Sequence, residues 1–166
     1  RSCLNALARS IIPAEHIFVV DGGSRDDTKS IVQEFPVNFL ESERGRGCQI
    51  AVGVNASKSD VILVLHADAL LPANSVSNIV EALNDNPYAV GGAIGQRFAS
   101  KGPKPVLLLV EALNDFRAAW MGSSFGDQGQ FFRRDAIDRA GGFPNIPLME
   151  DVELTALLEK EGDHLL

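Results

Sequence analysis

Short apolar runs alternate along the first half of the chain with segments whose apolar residues recur at helical spacing. The runs predict strands at 17–21, 37–42 and 61–65, and the first and third are rich in β-branched residues. The amphipathic segments predict helices at 4–11, from about 26 to 35, and at 45–56. Because strands that alternate with helices build parallel sheets, the pattern predicts an α/β fold with a mainly parallel central sheet.

The second half keeps this alternation with less regular spacing. Pro72 opens a predicted helix that ends before Pro87. Strands are also predicted at 88–98 and 128–133, and helices at 105–121, from Asp135 and at 151–160. The chain has no repeat, low-complexity tract or obvious linker, so the pattern fits one domain.

Two aspartates follow apolar runs where the predicted strands end. Asp21 is followed by Gly22 and Gly23, and Asp68 follows the third run, with His66 two places before it. Ligands of parallel sheets bind at the carboxyl ends of strands, so these side chains are candidates for a nucleotide or cation site. A capped turn explains Asp21 alone better, and a turn or helix cap explains Asp68 equally well. A hydrogen-bonded structural histidine is the simpler explanation of His66.

A third acidic feature lies near the carboxyl end, where Glu150 and Asp151 open the last predicted helix. Asp151 can act as a general base that takes the proton from an attacking hydroxyl. Two acids in a first helical turn also suit the helix dipole, and that explanation is sufficient when the motif is considered alone.

Two further polar features stand beside the strand predicted at 128–133. Gly126, Asp127 and Gln128 are candidates to bind an acceptor or sugar hydroxyls. Arg133 and Arg134 are predicted to be a solvated pair, with a phosphate contact as the alternative.

Composition and charge limit the partners of such a domain. Hydrophobic residues make up 45% of the 166 residues, enough for a core, and the formal net charge is −7. A negative surface repels phosphate backbones, so no nucleic acid is expected as a partner. The two cysteines form neither a disulfide framework nor a zinc cluster and fit a reducing compartment. No apolar run reaches the roughly 18 residues of a transmembrane segment.

The order of the motifs carries more information than any one of them. VVDGGSRDDT, GRGCQIAVGVNAS, DVILVLHADALLP, FGDQGQFFRRDAIDRAGGFP and LMEDVEL follow one another along nearly the whole chain. Together they resemble the family 2 glycosyltransferases of the GT-A fold, in particular a small bacterial branch with VDGGS, LHAD, GDQG and MEDVEL motifs. The resemblance implies a single GT-A-like domain over 1–166 that lacks the family's first strand and C-terminal segment.

The resemblance also implies a reaction, a cofactor and a set of site residues. The reaction is an inverting transfer of a sugar from a nucleotide-diphospho-sugar donor to an acceptor hydroxyl, with a divalent cation, Mn²⁺ or Mg²⁺, as cofactor. Asp151 is implied as catalytic base with support from Glu150, and Asp68 as the main metal ligand with His66 as a weaker candidate. The implied donor-binding residues are Asp21, Gly22, Gly23, Arg46 and Asp68, and the implied acceptor-side residues are Gly126, Asp127 and Gln128.

Three positions depart from the pattern of this family. Many relatives have an acid where this chain has Gly22, an arginine at Cys48 and an acid at His66. These departures keep a non-catalytic nucleotide-sugar-binding module open as an alternative. A second alternative is a sugar-phosphate nucleotidyltransferase, because that class also has a nucleotide-binding α/β sheet. The resemblance names no sugar, base or oligomeric state, and the acceptor is either a saccharide or a lipid. It implies a cytoplasmic protein and leaves peripheral association with the inner membrane face open.

Overall fold

The first third of the chain forms a parallel strand pair flanked by helices. The computed structural model describes residues 1–95, 105–109, 112, 129–146 and 148–165. The first elements are α1 (Ser2–Leu7), a 3₁₀ turn (Ala14–His16), β1 (Phe18–Asp21), α2 (Thr28–Val32), β2 (Asn38–Glu41) and α3 (Arg46–Ala56). β1 and β2 pair in parallel, and Asp21 lies opposite Glu41 at their carboxyl ends. The strand–helix alternation predicted for this region is confirmed.

The remaining described elements build a second, mixed sheet. They are β3 (Val61–Leu63), α4 (Ser75–Asp85), β4 (Ala89–Ala93), a helical segment at 105–109, β5 (Gln130–Arg133), α5 (Arg134–Arg139), α6 (Glu150–Leu158) and β6 (Asp163–Leu165). The strand order is β3-β5-β4-β6. β5 runs antiparallel to both β3 and β4, whereas β4 and β6 are parallel. The α/β class is confirmed, with two parallel and two antiparallel strand pairs in the described residues.

The core lies on both faces of this second sheet. On one face Ile62 and Val64 pack with Phe132, which is fully buried, and with the apolar side of α6. On the other face Val61 and Leu63 pack against a smaller cluster. Both faces of β3 are therefore covered, as its continuous apolar run predicts.

Several predicted boundaries are wrong by a few residues, and α1, for example, ends at Leu7 and not at Ile11. β3 ends at Leu63, two residues before the end of its apolar run. α4 begins at Ser75 and not at Pro72. The backbone N–H of Ser75 donates to the carbonyl of Pro72 at 3.1 Å, so a separate turn precedes the helix.

The prediction that Arg133 and Arg134 form a solvated pair is wrong. Arg133 donates to the carbonyls of Leu83 and Ala89 at 2.6 and 2.8 Å. Arg134 donates to the carbonyls of Val54 and Ser59 at 3.0 and 2.9 Å, the first of them in the last turn of α3. Helix carboxyl ends leave carbonyls without intrahelical donors, and these guanidinium groups satisfy two of them.

None of the helices in the described ranges is long and apolar enough to cross a membrane.

Candidate active site

Glu150 and Asp151 form a buried acid pair in the first turn of α6. Glu150 is 0% exposed and Asp151 is 4% exposed. The fully buried side chains of Leu154 and Leu158 anchor this helix in the core. Isolated carboxylates are costly to bury, so such a pair requires a cation or several hydrogen bonds. The helix dipole explains why acids are tolerated at this end, but it does not require them to be buried.

Arg46, the first residue of α3, supplies the cation. Its Nε donates to Oε1 of Glu150 in a short contact, and its Nη2 donates to Oδ2 of Asp151 at 3.1 Å. The second carboxylate oxygen of Asp151 accepts from the backbone N–H of Val152 at 2.9 Å. The Arg46 side chain is 37% exposed, so the acid pair is linked to the protein surface through this guanidinium.

Gly47 allows the two helix starts to approach one another this closely. A Cβ atom at Gly47 would lie 2.1 Å from the carbonyl oxygen of Ile146 and 2.9 Å from Cβ of Glu150. Only glycine fits at such a distance. Met149, the residue before the acids, has a left-handed backbone with φ of 64°. Left-handed backbone is uncommon outside glycine, and here it brings the chain sharply into α6.

Asp21 closes the turn that follows β1. Its Oδ2 accepts from the backbone N–H groups of Gly23 and Ser24 at 3.2 and 2.9 Å, and its Oδ1 accepts from the Ser24 hydroxyl in a short contact. The Ser24 hydroxyl, followed by the backbone donors, holds the pKa of Asp21 below its usual range. The capped turn is thus present, and a nucleotide role for Asp21 stays a prediction.

Gln49 occupies the space beside Gly22. A Cβ atom at Gly22 would lie 2.9 Å from Cδ and Oε1 of Gln49. The Gln49 amide nitrogen donates to the carbonyl of Val20 at 3.1 Å, which fixes this side chain at the end of β1. Position 22 therefore has no room for a larger side chain unless Gln49 moves. No role was predicted for Gln49, although it lies one helical turn after Arg46 on the same side of α3.

His66 and Asp68 lie in a turn after β3. The backbone N–H of Ala69 donates to the carbonyl of His66 at 3.0 Å, and Asp68 is exposed. Within the described part of the chain, Nε2 of His66 is buried without a hydrogen-bond partner. Burial raises the pKa of the nearby Cys3 thiol, and the negative charge of Asp68 raises it further. Cys3 belongs to α1, which therefore borders this turn.

The donor set at this turn fits a cation that is shared with a substrate. In the described ranges, no group of three or more His, Cys, Asp or Glu side chains could hold a metal ion. Mg²⁺ and similar ions in phosphate-transfer sites often use only one or two carboxylates, with substrate phosphates and water as the other ligands. The exposed carboxylate of Asp68 is suited to that arrangement, whereas a site built from protein ligands alone is not supported.

The structure brings part of the predicted site together. Arg46, Glu150 and Asp151 are in contact, and Gly22 lies beside Gln49 of the same helix, α3. The predicted acceptor-side residues, Gly126, Asp127 and Gln128, lie outside the described residues.

Comparisons with known proteins show which family this chain belongs to. The family model described as "Glycosyl transferase family 2" matches residues 1–141. The chain is 26% identical over 189 residues to "Probable glycosyltransferase YdaM" of Bacillus subtilis (strain 168), covering 99% of this chain and 44% of that protein. It is 33% identical over 86 residues to "Undecaprenyl-phosphate 4-deoxy-4-formamido-L-arabinose transferase" of Pseudomonas savastanoi pv. phaseolicola (strain 1448A / Race 6), covering 47% and 25%. The chain thus spans less than half the length of these curated relatives.

Two experimental structures share the fold. A mannosyltransferase, PcManGT from Pyrobaculum calidifontis in complex with GDP-Man and Mn²⁺, superposes with a TM-score of 0.74 at 21% identity, over 98% of this chain and 49% of the other. S. aureus TarS 1-349 in complex with UDP-GlcNAc gives 0.72 at 17% identity, over 98% and 50%. These likenesses show a GT-A-type fold. Since the family model covers residues 1–141 of the 166, the chain belongs to glycosyl transferase family 2.

Proposed function

We propose that this protein transfers a sugar from a nucleotide-diphospho-sugar to an acceptor hydroxyl, with inversion at the anomeric carbon. The observation that carries the proposal is the buried acid pair at the start of α6, Glu150 and Asp151, held by Arg46. A carboxylate fixed in one orientation is what a general base requires. Family membership supplies the reaction class.

Asp151 is the proposed base. Its carboxylate accepts the proton of the acceptor hydroxyl while that oxygen forms a bond to the anomeric carbon. The bond from that carbon to the diphosphate breaks in the same displacement, and the nucleoside diphosphate leaves. Because attack and departure occur on opposite faces of the sugar, a single displacement inverts the anomeric configuration.

The donor is proposed to bind at the edge formed by the turns after β1 and β3. Asp21 and the glycines at 22 and 23 would contact the nucleoside, and Arg46 remains a candidate for the donor's charged groups. Asp68, with His66 as a weaker candidate, would hold a divalent cation that neutralises charge on the departing diphosphate. A cation is needed because the chain itself carries a formal net charge of −7.

Relatives suggest which ligands to try first. The PcManGT structure is a complex with GDP-Man and Mn²⁺, and the TarS structure is a complex with UDP-GlcNAc, so GDP and UDP sugars with Mn²⁺ are the first donors to test. The name of the Pseudomonas savastanoi protein contains undecaprenyl phosphate, which makes a lipid acceptor at the membrane surface a reasonable alternative to a saccharide. Gly126, Asp127 and Gln128 are the proposed acceptor-side residues.

Donor turnover in the full-length protein with Mn²⁺ tests this proposal. A general base increases the reaction rate about 10²- to 10⁴-fold. Asp151→Asn is therefore expected to lower kcat by a similar factor. In Asp68→Ala, turnover is expected to be no higher with Mn²⁺ than without it. Asp85→Asn, at the exposed end of α4, is the control and is expected to match the wild type. Wild-type turnover in both Asp151→Asn and Asp68→Ala would overturn the assignments.

Two further measurements, made beside donor turnover, separate the alternatives. A non-catalytic module is favoured by Gly22 and His66, which stand where many relatives have acids, and by Cys48, which stands where many have an arginine. Such a module would bind nucleotide sugars in calorimetry without any transfer or hydrolysis. A sugar-phosphate nucleotidyltransferase would instead release pyrophosphate from a nucleoside triphosphate, and membership in glycosyl transferase family 2 argues against it.

A further inference from the structure

Glu150 cannot meet a substrate in this structure, although it stands next to the proposed base. Its side chain is 0% exposed, and its Oε1 accepts from Nε of Arg46. Within the described residues, its Oε2 is buried without a hydrogen-bond partner. A fully buried carboxylate of this kind acts on chemistry only through the groups that it contacts.

Arg46 connects Glu150 to Asp151, because its guanidinium contacts both carboxylates. Nε and Nη2 lie on one edge of the planar guanidinium, and this edge spans two carboxylates: Nε reaches Glu150 and Nη2 reaches Asp151. A guanidinium edge has fixed geometry, so anchoring one end orients the other. A lysine ammonium carries the same charge but lacks this fork.

The surrounding backbone leaves little freedom for this arrangement to adjust. Arg46 is the first residue of α3, and the next residue, Gly47, has no space for even a Cβ atom against the Ile146 carbonyl and Glu150. The partners come from segments that are 104 and 105 residues apart in sequence. The contact therefore fixes the first turn of α6 to the first turn of α3.

We propose that Arg46 and Glu150 are a positioning pair for Asp151: Glu150 anchors the guanidinium, and the guanidinium orients the carboxylate of the base. This proposal rests on the proposed function of Asp151. It differs from the role that the family resemblance implies for Arg46, which is a contact to the nucleotide sugar. The two roles predict different kinetics, because a donor contact changes the KM for donor whereas orientation of the base changes kcat.

Steady-state kinetics of Arg46→Lys, Glu150→Gln and the double variant test the pair in the full-length protein. Misplacement of a catalytic group by about 1 Å can cost 10²-fold, so kcat of Arg46→Lys is expected to fall about 10- to 100-fold with donor KM nearly unchanged. Because the two residues act as one unit, the double variant is expected to be no slower than the slower single variant. In Arg46→Ala, added guanidinium ion is expected to restore part of kcat.

Arg139→Lys is the matched control. Arg139 also bridges two carboxylates, Asp135 at 2.8 Å and Glu161 at 3.0 Å, but on the exposed surface. The kcat and KM of Arg139→Lys are expected to equal those of the wild type. Thermal unfolding of every variant gives the folded fraction used to normalise kcat. If Arg46→Lys does not fold, Glu150→Gln provides the test, because a positioning role lowers its kcat and leaves its donor KM nearly unchanged.

The outcomes separate this proposal from the proposed function. Wild-type turnover in Asp151→Asn would overturn the assignment of the base and the positioning pair together. An inactive Asp151→Asn beside a wild-type kcat in Arg46→Lys and Glu150→Gln would overturn the pair alone. A raised donor KM with unchanged kcat in Arg46→Lys would also overturn the pair and assign Arg46 to the donor.

Discussion

Arg46, Arg133 and Arg134 show at the scale of single residues how the groups around a guanidinium determine what it does. Arg46 meets two buried carboxylates at the starts of two helices. Arg133 and Arg134 meet backbone carbonyls, including carbonyls in the last turns of α4 and α3. The first arrangement places charge beside a proposed base, whereas the second only completes the hydrogen bonding of helix ends.

Asp21 gives a prediction on pH dependence at this scale. Its folded-state pKa is lowered, chiefly by the Ser24 hydroxyl, so its charged form stabilises the fold above the ordinary pKa of about 3.9. That contribution is lost as the pH falls through the lower folded pKa. Asp21→Asn is therefore expected to lower the urea midpoint at pH 7, with a deficit that narrows toward pH 3.

Asp27→Asn is the control for this experiment. Asp27 belongs to the same turn and precedes α2, but its side chain makes no capping hydrogen bond to that helix. Its urea midpoint is expected to stay close to the wild-type value throughout. A deficit in Asp21→Asn that is constant from pH 7 to pH 3 would contradict the account of Asp21.

At the scale of elements, the site depends on where two helices begin. α3 and α6 start side by side, and the first residues of both carry the charged groups of the candidate site. The positive end of a helix dipole favours the carboxylates at the start of α6. Gly47 sets the distance between the two starts, because a Cβ atom there would overlap the Ile146 carbonyl.

Gly47→Ala is expected to force the two helix starts apart. A side chain placed in a filled space costs about 1–3 kcal/mol, and the displacement would also separate Arg46 from Glu150. Both the free energy of unfolding and kcat are therefore expected to fall. Urea denaturation together with turnover measures the two effects.

Gly53→Ala is the matched substitution in the same helix. A Cβ atom at Gly53 would lie 3.2 Å from Cγ2 of Val20, a side-chain atom that can give way slightly. Alanine also favours a helix interior over glycine by roughly 0.5–1 kcal/mol, so the net change is expected to be small. Equal losses in Gly47→Ala and Gly53→Ala would show that the close approach at Gly47 has no special importance.

At the scale of the whole molecule, the fold gathers segments that are distant in sequence. β5 lies between β3 and β4, and α6 packs on the core that β3 and β5 share. Arg46 and Asp151 meet although 105 positions separate them. A ligand that contacts several of these segments can bind only when they are folded together. Its binding is therefore expected to stabilise the whole fold.

Thermal unfolding with GDP or UDP in the presence of Mn²⁺ checks this expectation. A ligand at 100 times its Kd adds about 2.7 kcal/mol to the folded state, so the Tm is expected to rise with the nucleotide that the protein prefers. Asp68→Ala is expected to lose the part of the increase that depends on Mn²⁺. Asp151→Asn, the matched aspartate variant, is expected to keep it. An increase that is the same with EDTA as with Mn²⁺ would contradict a cation shared with the diphosphate.

Local pattern was sufficient for much of the fold. The continuous apolar run at 61–65 predicted β3, because a strand covered on both faces requires consecutive apolar residues whatever its partners are. Shorter apolar segments likewise predicted β1 and β2. The order of motifs likewise predicted the family, and it indicated the candidate acids Asp21, Asp68, Glu150 and Asp151. The strand order could not be predicted in this way, since pairing depends on contacts between residues far apart in the chain, and β5 pairs antiparallel with two earlier strands.

The sequence by itself therefore determined the α/β class, the family and the candidate residues. Only the tertiary structure decided which of them touch. In the folded protein Glu150 is buried away from solvent, and Arg46 contacts both acids. Gln49 occupies the space beside Gly22. It also assigned Arg133 and Arg134 to backbone carbonyls. The physical reason is that burial, charge pairing and hydrogen-bond partners are properties of three-dimensional neighbours, whereas hydrophobic periodicity and motif order are already present in the linear chain.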